Sequence, residues 1–115
     1  MRKIISLLFV CILLTACGNN FKTITTNEAT ELINKGATII DVRTKEEYNE
    51  GHIKNAKNIP LDEITSVSFP KDTVIIVYCA TGIRSNQAAN KLLDMGYTSL
   101  YNLDGGLLNW GGEFE

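Results

Sequence analysis

Val74-Ile75-Ile76-Val77-Tyr78-Cys79-Ala80-Thr81-Gly82-Ile83-Arg84-Ser85 reads as a buried strand ending on a cysteine, a tight loop, and a helix that opens at Ser85. The β-branched run supplies the strand. Gly82 permits a backbone turn closed to other residues. Residues 86–95 place apolar side chains near a 3.6 period, with Gly96 as a stop. That succession aims several backbone N–H groups and a helix N-terminus at one sulfur, which favours thiolate over thiol. Cysteines so placed have pKa values of about 3.5–7.5 instead of about 8.5. A cysteine after an apolar run is otherwise most often an inert small hydrophobe. Here the loop and helix make Cys79 a candidate nucleophile, and Arg84 adds fixed positive charge with a forked set of donors.

Working outward, Thr38-Ile39-Ile40-Asp41-Val42 is β-branched and nearly all apolar, as in a strand covered on both faces. Thr25 with Glu28, and Thr44 with Glu47, have capping-box spacing. They predict a helix over residues 27–34, stopped by Gly36, and a short one through Glu50. Residues 21–24 form an edge strand and 57–59 a short strand ended by Pro60. Residues 61–64 make one helical turn and 99–102 the last strand, and Asp104-Gly105-Gly106 leads into a terminal turn around Trp110. Strands alternating with helices predict an α/β domain, a parallel sheet with helices on both faces. Ligands then bind beyond the carboxyl ends of the strands, where Cys79 sits. Asp41 and Arg43 either pair and brace the sheet end near that site, or Arg43 faces solvent. His52, the one histidine, reads as a hydrogen-bonded structural residue. Tyr101 and Trp110 read as core.

Of the three cysteines, Cys11 and Cys17 lie in a segment with the marks of processing. Met1-Arg2-Lys3 is a positive n-region, and residues 4–14 are apolar except for Ser6 and Cys11. The stretch is shorter than the about 20 residues that span a bilayer and has the shape of a secretory signal. Leu14-Thr15-Ala16-Cys17 resembles the lipobox of bacterial lipoproteins. That resemblance implies a signal peptide over 1–16, lipidation of Cys17, a short tether over 17–20 and a domain over 21–115. The protein would be exported and lipid-anchored to a bacterial membrane, facing the cell envelope or exterior. An ordinary signal peptide or an uncleaved anchor is the alternative. Cys79 would then be the sole thiol of the mature chain, with no partner for an intramolecular disulfide. The length suits one domain. A formal net charge of −2 at pH 7, with no basic stripe, disfavours nucleic acid as a partner.

Three motifs carry a resemblance to a known family. Asp41-Val42-Arg43, with Glu47-Tyr48 and Gly51-His52-Ile53-Lys54-Asn55-Ala56-Lys57-Asn58-Ile59-Pro60, resembles the N-terminal signature of rhodanese-like sulfurtransferase domains. Residues 78–85 resemble that family's active-site loop, and Leu103-Asp104-Gly105-Gly106 with Trp110 is similar to its C-terminal signature. The resemblance implies an α/β fold around a parallel sheet of about five strands, and sulfur transfer without cofactor or metal. Cys79 would attack a sulfane-sulfur donor, a small anion such as thiosulfate or a low-molecular-weight persulfide. It would hold the sulfur as a persulfide and pass it to cyanide or a thiol, the protein acting as a monomer.

Backbone N–H groups of Ala80, Thr81, Gly82, Ile83, Arg84 and Ser85 would stabilise thiolate and persulfide. Arg84 would steer an anionic donor inward, or else stand as a helix-start charge on a solvated face. In the family His52 belongs to the structural signature. Related phosphatases place five residues between cysteine and arginine; here four intervene, a loop better suited to a sulfur atom than to phosphate. The alternative to an enzyme is a membrane-tethered module that presents a persulfide or thiol with little turnover.

Overall fold

A computed structural model describes residues 20–115, so Cys11, Cys17, the signal peptide and most of the tether lie outside the described residues. Five strands, β1 (Lys22–Ile24), β2 (Thr38–Asp41), β3 (Lys57–Asn58), β4 (Ile75–Tyr78) and β5 (Leu100–Leu103), form one parallel sheet in the order β1-β5-β4-β2-β3. Helices α1 (Thr26–Asn34), α2 (Lys45–Glu50) and α3 (Ile83–Asp94) connect them, with 3-10 segments at Leu61–Ser66 and Gly106–Asn109. Both capping boxes form: Thr25 with Glu28 opens α1, and Thr44 with Glu47 opens α2.

Side chains alternate across the sheet, so one strand feeds two half-cores. Ile75, Val77 and Cys79 join Ile40, Val42, Ala88, Ala89, Leu92 and Tyr97 on the α3 side. Ile76 and Tyr78 join Ile24, Ala29, Ile39 and Ile53 on the opposite side, where Leu32, Ile33, Tyr48, Tyr101 and Trp110 pack around them. Helices therefore cover both faces, as the continuous apolar strands require.

The strand order fixes where a site can form. From β2 the chain moves outward to β3, whereas from β4 it moves the other way to β5. The carboxyl ends of β2 and β4, which pair Asp41 with Tyr78, flank the point where the winding reverses. A crevice opens there in sheets of this kind.

Charge holds the β2 side of that crevice. Arg43 Nη2 lies 2.7 Å from Asp41 Oδ2 and donates to the Gly51 carbonyl at 2.7 Å, while Arg43 Nε reaches both carboxylate oxygens at 3.0 and 3.1 Å. The Tyr78 hydroxyl donates to Asp41 Oδ2 at 2.6 Å and accepts the Ile53 N–H at 3.0 Å. Burial first, then the bond to Asp41, pushes the Tyr78 phenol far above its ordinary value, which keeps it a neutral donor. The open alternative for Arg43 thus resolves to a buried pair.

Several boundaries shift by one or two residues from the sequence reading, and two of the shifts bear on the site. Helix α3 opens at Ile83, two residues before Ser85. Gly82 takes the N-cap position at φ 113°, a left-handed conformation, so the turn is complete before Ile83 and leaves it and Arg84 helical. The last strand runs one residue later than expected, Leu100–Leu103, because β4 pairs with it from Leu100 onward.

Asp41→Ala leaves the Arg43 charge buried without its counter-ion. A loss of about 3–5 kcal/mol in urea unfolding is expected; a change below about 1 kcal/mol would deny Asp41 its bracing role.

Candidate functional site

Cys79 follows β4 directly and is buried, with 1% of its surface exposed. The chain turns at Ala80 and Thr81, and Gly82 starts α3 without any side-chain cap. The sulfur fills that vacant role. Cys79 Sγ accepts the Gly82 N–H at 3.1 Å and the Ser85 N–H at 3.4 Å, and lies 3.5 Å from the Ser85 hydroxyl. Ser85 is the third residue of α3, so its N–H is one of the donors a helix start leaves unpaired. An anion at this point also meets the positive end of the helix dipole. Burial pushes the Cys79 thiol up, but the Ser85 hydroxyl and the N–H groups of Ser85, Gly82 and Thr81 outweigh it, leaving the pKa below its ordinary value.

Ser85 is itself held. Its hydroxyl donates to Asn102 Oδ1 at 2.6 Å, and Asn102 Nδ2 donates back to the Gly82 carbonyl at 3.4 Å. One hydroxyl carries one proton. With that proton on Asn102, Ser85 Oγ accepts from a Cys79 thiol; with the proton turned to Sγ, it stabilises a thiolate. Asn102 is a buried polar residue on β5, and through it the last strand reaches the loop.

The C-terminal segment clamps the loop from outside. Leu107 N–H donates to the Cys79 carbonyl at 2.8 Å and Leu108 N–H to the Ala80 carbonyl at 3.2 Å. Gly106 permits this approach: a Cβ there would lie 2.5 Å from the Cys79 carbonyl oxygen and 2.7 Å from Ala80. The rim is apolar, with Ile83 71% and Leu108 80% exposed.

Arg84 does not stand free. Its Nη1 and Nη2 reach Glu47 Oε1 and Oε2 at 2.8 and 3.1 Å, a fork-to-fork pair across the mouth. The Arg84 bond, helped by the Thr44 cap, holds the Glu47 carboxyl at about 2 instead of 4.5. Because that folded value is depressed, the contribution of the pair to stability is complete above about pH 4.5 and is lost as pH falls toward 2.

The family model for the rhodanese-like domain matches residues 25–113, which hold all of these residues. The chain belongs to the rhodanese-like family. The uncharacterized protein YqhL of Bacillus subtilis is 40% identical over 81 residues, a match spanning 69% of this chain and 64% of that protein. Thiosulfate sulfurtransferase GlpE of Coxiella burnetii is 36% identical over 93 residues, 78% of this chain and 87% of the relative. Among solved structures, a rhodanese-like domain protein from Staphylococcus aureus has a TM-score of 0.71 at 38% identity, covering 81% of this chain and 94% of the other.

Of the loop residues 80–85 expected around Cys79 in this rhodanese-like domain, Gly82 and Ser85 make direct hydrogen bonds to the sulfur. Asp41 and Arg43 lie on the neighbouring strand end, as a brace. His52 stacks on Tyr48 at 3.7 Å and makes its polar contacts with the Tyr48 carbonyl and Glu115, in keeping with a structural role. Among the described residues, no cluster of three or more His, Cys, Asp or Glu has metal-binding geometry, and no helix is long and apolar enough to cross a membrane. Sequence reasoning missed Asn102, Gly106 and the second role of Glu47. The spacing Thr44–Glu47 pointed only to a cap, and a lone asparagine between Tyr101 and Leu103 was the one signal for Asn102.

Ser85→Ala removes the hydroxyl and keeps the backbone donors. The Cys79 pKa, read from far-ultraviolet thiolate absorbance against pH, is expected to rise by about 1–2 units. An unchanged midpoint would mean the hydroxyl serves only Asn102.

Proposed function

We propose that this protein is a sulfurtransferase that moves sulfane sulfur from a donor such as thiosulfate to a thiol or cyanide through a persulfide on Cys79. The observation that carries this reading is the capped sulfur: a buried cysteine at a helix N-terminus, with backbone donors aimed at it and a pKa held low. Relatives named sulfurtransferase, including GlpE, support turnover over a merely presenting module.

The thiolate attacks the outer sulfur of thiosulfate. The S–S bond breaks and sulfite leaves with the electron pair, so the charge passes onto the terminal sulfur of the Cys79 persulfide. The Gly82 and Ser85 donors that reach Cys79 Sγ in the free protein would stabilise that displaced charge as well. A thiolate or cyanide then attacks the terminal sulfur and releases Cys79 as thiolate. The fraction of Cys79 that is already thiolate, which the lowered pKa enlarges, needs no general base.

The N-terminal pattern supports export and lipid attachment at Cys17. The domain would then act on a bacterial membrane, facing the cell envelope or exterior, as a monomer on small sulfur donors and thiol acceptors.

Intact-mass spectrometry of residues 19–115 before and after thiosulfate tests the cycle. A gain of about 32 Da is expected, removed by cyanide and absent in Cys79→Ser. A wild-type protein unmodified by both thiosulfate and glutathione persulfide would refute sulfur transfer.

A further inference from the structure

We infer that Glu47 sets the choice of sulfur donor: by holding the fork of Arg84, it withholds the loop's positive charge from dianionic donors and favours donors of lower charge. The inference rests on the sulfur-transfer reading and deepens it.

Three observations meet at the mouth of the loop. Both Arg84 nitrogens that face out are bound by the two Glu47 oxygens, and the Thr44 cap fixes Glu47 in turn. With its carboxyl at about 2, Glu47 is charged at neutral pH. A dianion approaching Cys79 therefore meets a neutralised pair instead of a free guanidinium. The pair is about one-third exposed, so a strong anion competes with it against modest resistance.

The second observation is the apolar rim, where the exposed side chains of Ile83 and Leu108 bring no hydrogen-bond donor of their own to an oxyanion. The third is a groove of about 460 Å³ that Arg84 helps to line, walled by Val42, Pro60 and Leu61 and carrying one acid, Asp62, and a second base, Lys91. Inorganic thiosulfate has no carbon body to match the apolar wall. A small organic persulfide of amino-acid type has a carbon body for the apolar wall, an ammonium for Asp62 and a carboxylate for Lys91.

With such a donor, the Cys79 thiolate attacks the terminal sulfur of the protonated persulfide. The carbon-bound sulfur leaves as thiolate and takes the proton from the new Cys79 persulfide, so charge and atoms balance without any further reactant.

The test compares the dianion thiosulfate with cysteine persulfide, whose ammonium offsets one of its negative charges, in the wild type and in Glu47→Gln. Glutamine keeps the capping-box acceptor, so α2 retains its start. Removing the competing carboxylate should raise kcat/KM for thiosulfate about tenfold and leave cysteine persulfide within about twofold. The gain should shrink with added salt and vanish when Glu47→Gln is combined with Arg84→Gln. Parallel changes for both donors, or a gain that survives loss of Arg84, would overturn the role of Glu47. Absence of transfer from either donor in both proteins would overturn the sulfur-transfer reading along with it.

Discussion

The structure turns on one sulfur atom occupying the cap of one helix. Gly82 must be glycine to make the turn, and a glycine brings no side chain to satisfy the first N–H groups of α3. Cys79 Sγ takes that place, accepting from Gly82 and Ser85. The arrangement makes reactivity and folding aspects of the same contact. Donors that cap the helix lower the thiol pKa, and an ionised sulfur caps better than a neutral one. Burial alone would have produced an inert thiol.

That sulfur can be placed so closely because the elements around it are fixed independently. On one side the Asp41–Arg43–Tyr78 network ties the end of β2 to β4 and to the turn at Gly51. On the other, Asn102 reaches from β5 to both Ser85 and Gly82, and the segment after Gly106 hydrogen-bonds the loop carbonyls. Each contact joins a different strand end to the same crevice, at the reversal of the winding between β2 and β4. Glu47 closes the outer edge through Arg84. A polar, ion-braced base thus lies beneath a rim that combines the apolar Ile83 and Leu108 with the Arg84–Glu47 pair.

Much of the fold was legible in the chain because its signals are local. The β-branched runs at 38–42 and 74–78, the two Thr–Glu caps and the glycine stops each rest on contacts within a few residues, and the elements formed where they predicted. Cys79 was legible for the same reason, since strand, loop and helix follow one another directly. What escaped depends on contacts across the sheet. Arg84 looked free because Glu47 is 37 positions away, and Asn102 looked like strand filler because Ser85 is 17 positions away. The start of α3 was placed late because the left-handed conformation of Gly82 brings Ile83, an exposed and seemingly loop-like residue, into the helix. Gly106 matters only through a backbone approach that no periodicity reveals.

The central claim is that an ionised Cys79 is built into the fold as the cap of α3. The direct measurement is unfolding free energy against pH, from about pH 5 to about pH 9.5, for the wild type and Cys79→Ala under reducing conditions. A thiol whose folded pKa lies below its unfolded value contributes stability that is complete above the unfolded pKa, about 8.5, and is lost as pH falls through the folded one. The account predicts that the advantage of the wild type over Cys79→Ala grows with rising pH and levels off above about pH 8.5. A difference that stays flat across the range, or shrinks as pH rises, would contradict it.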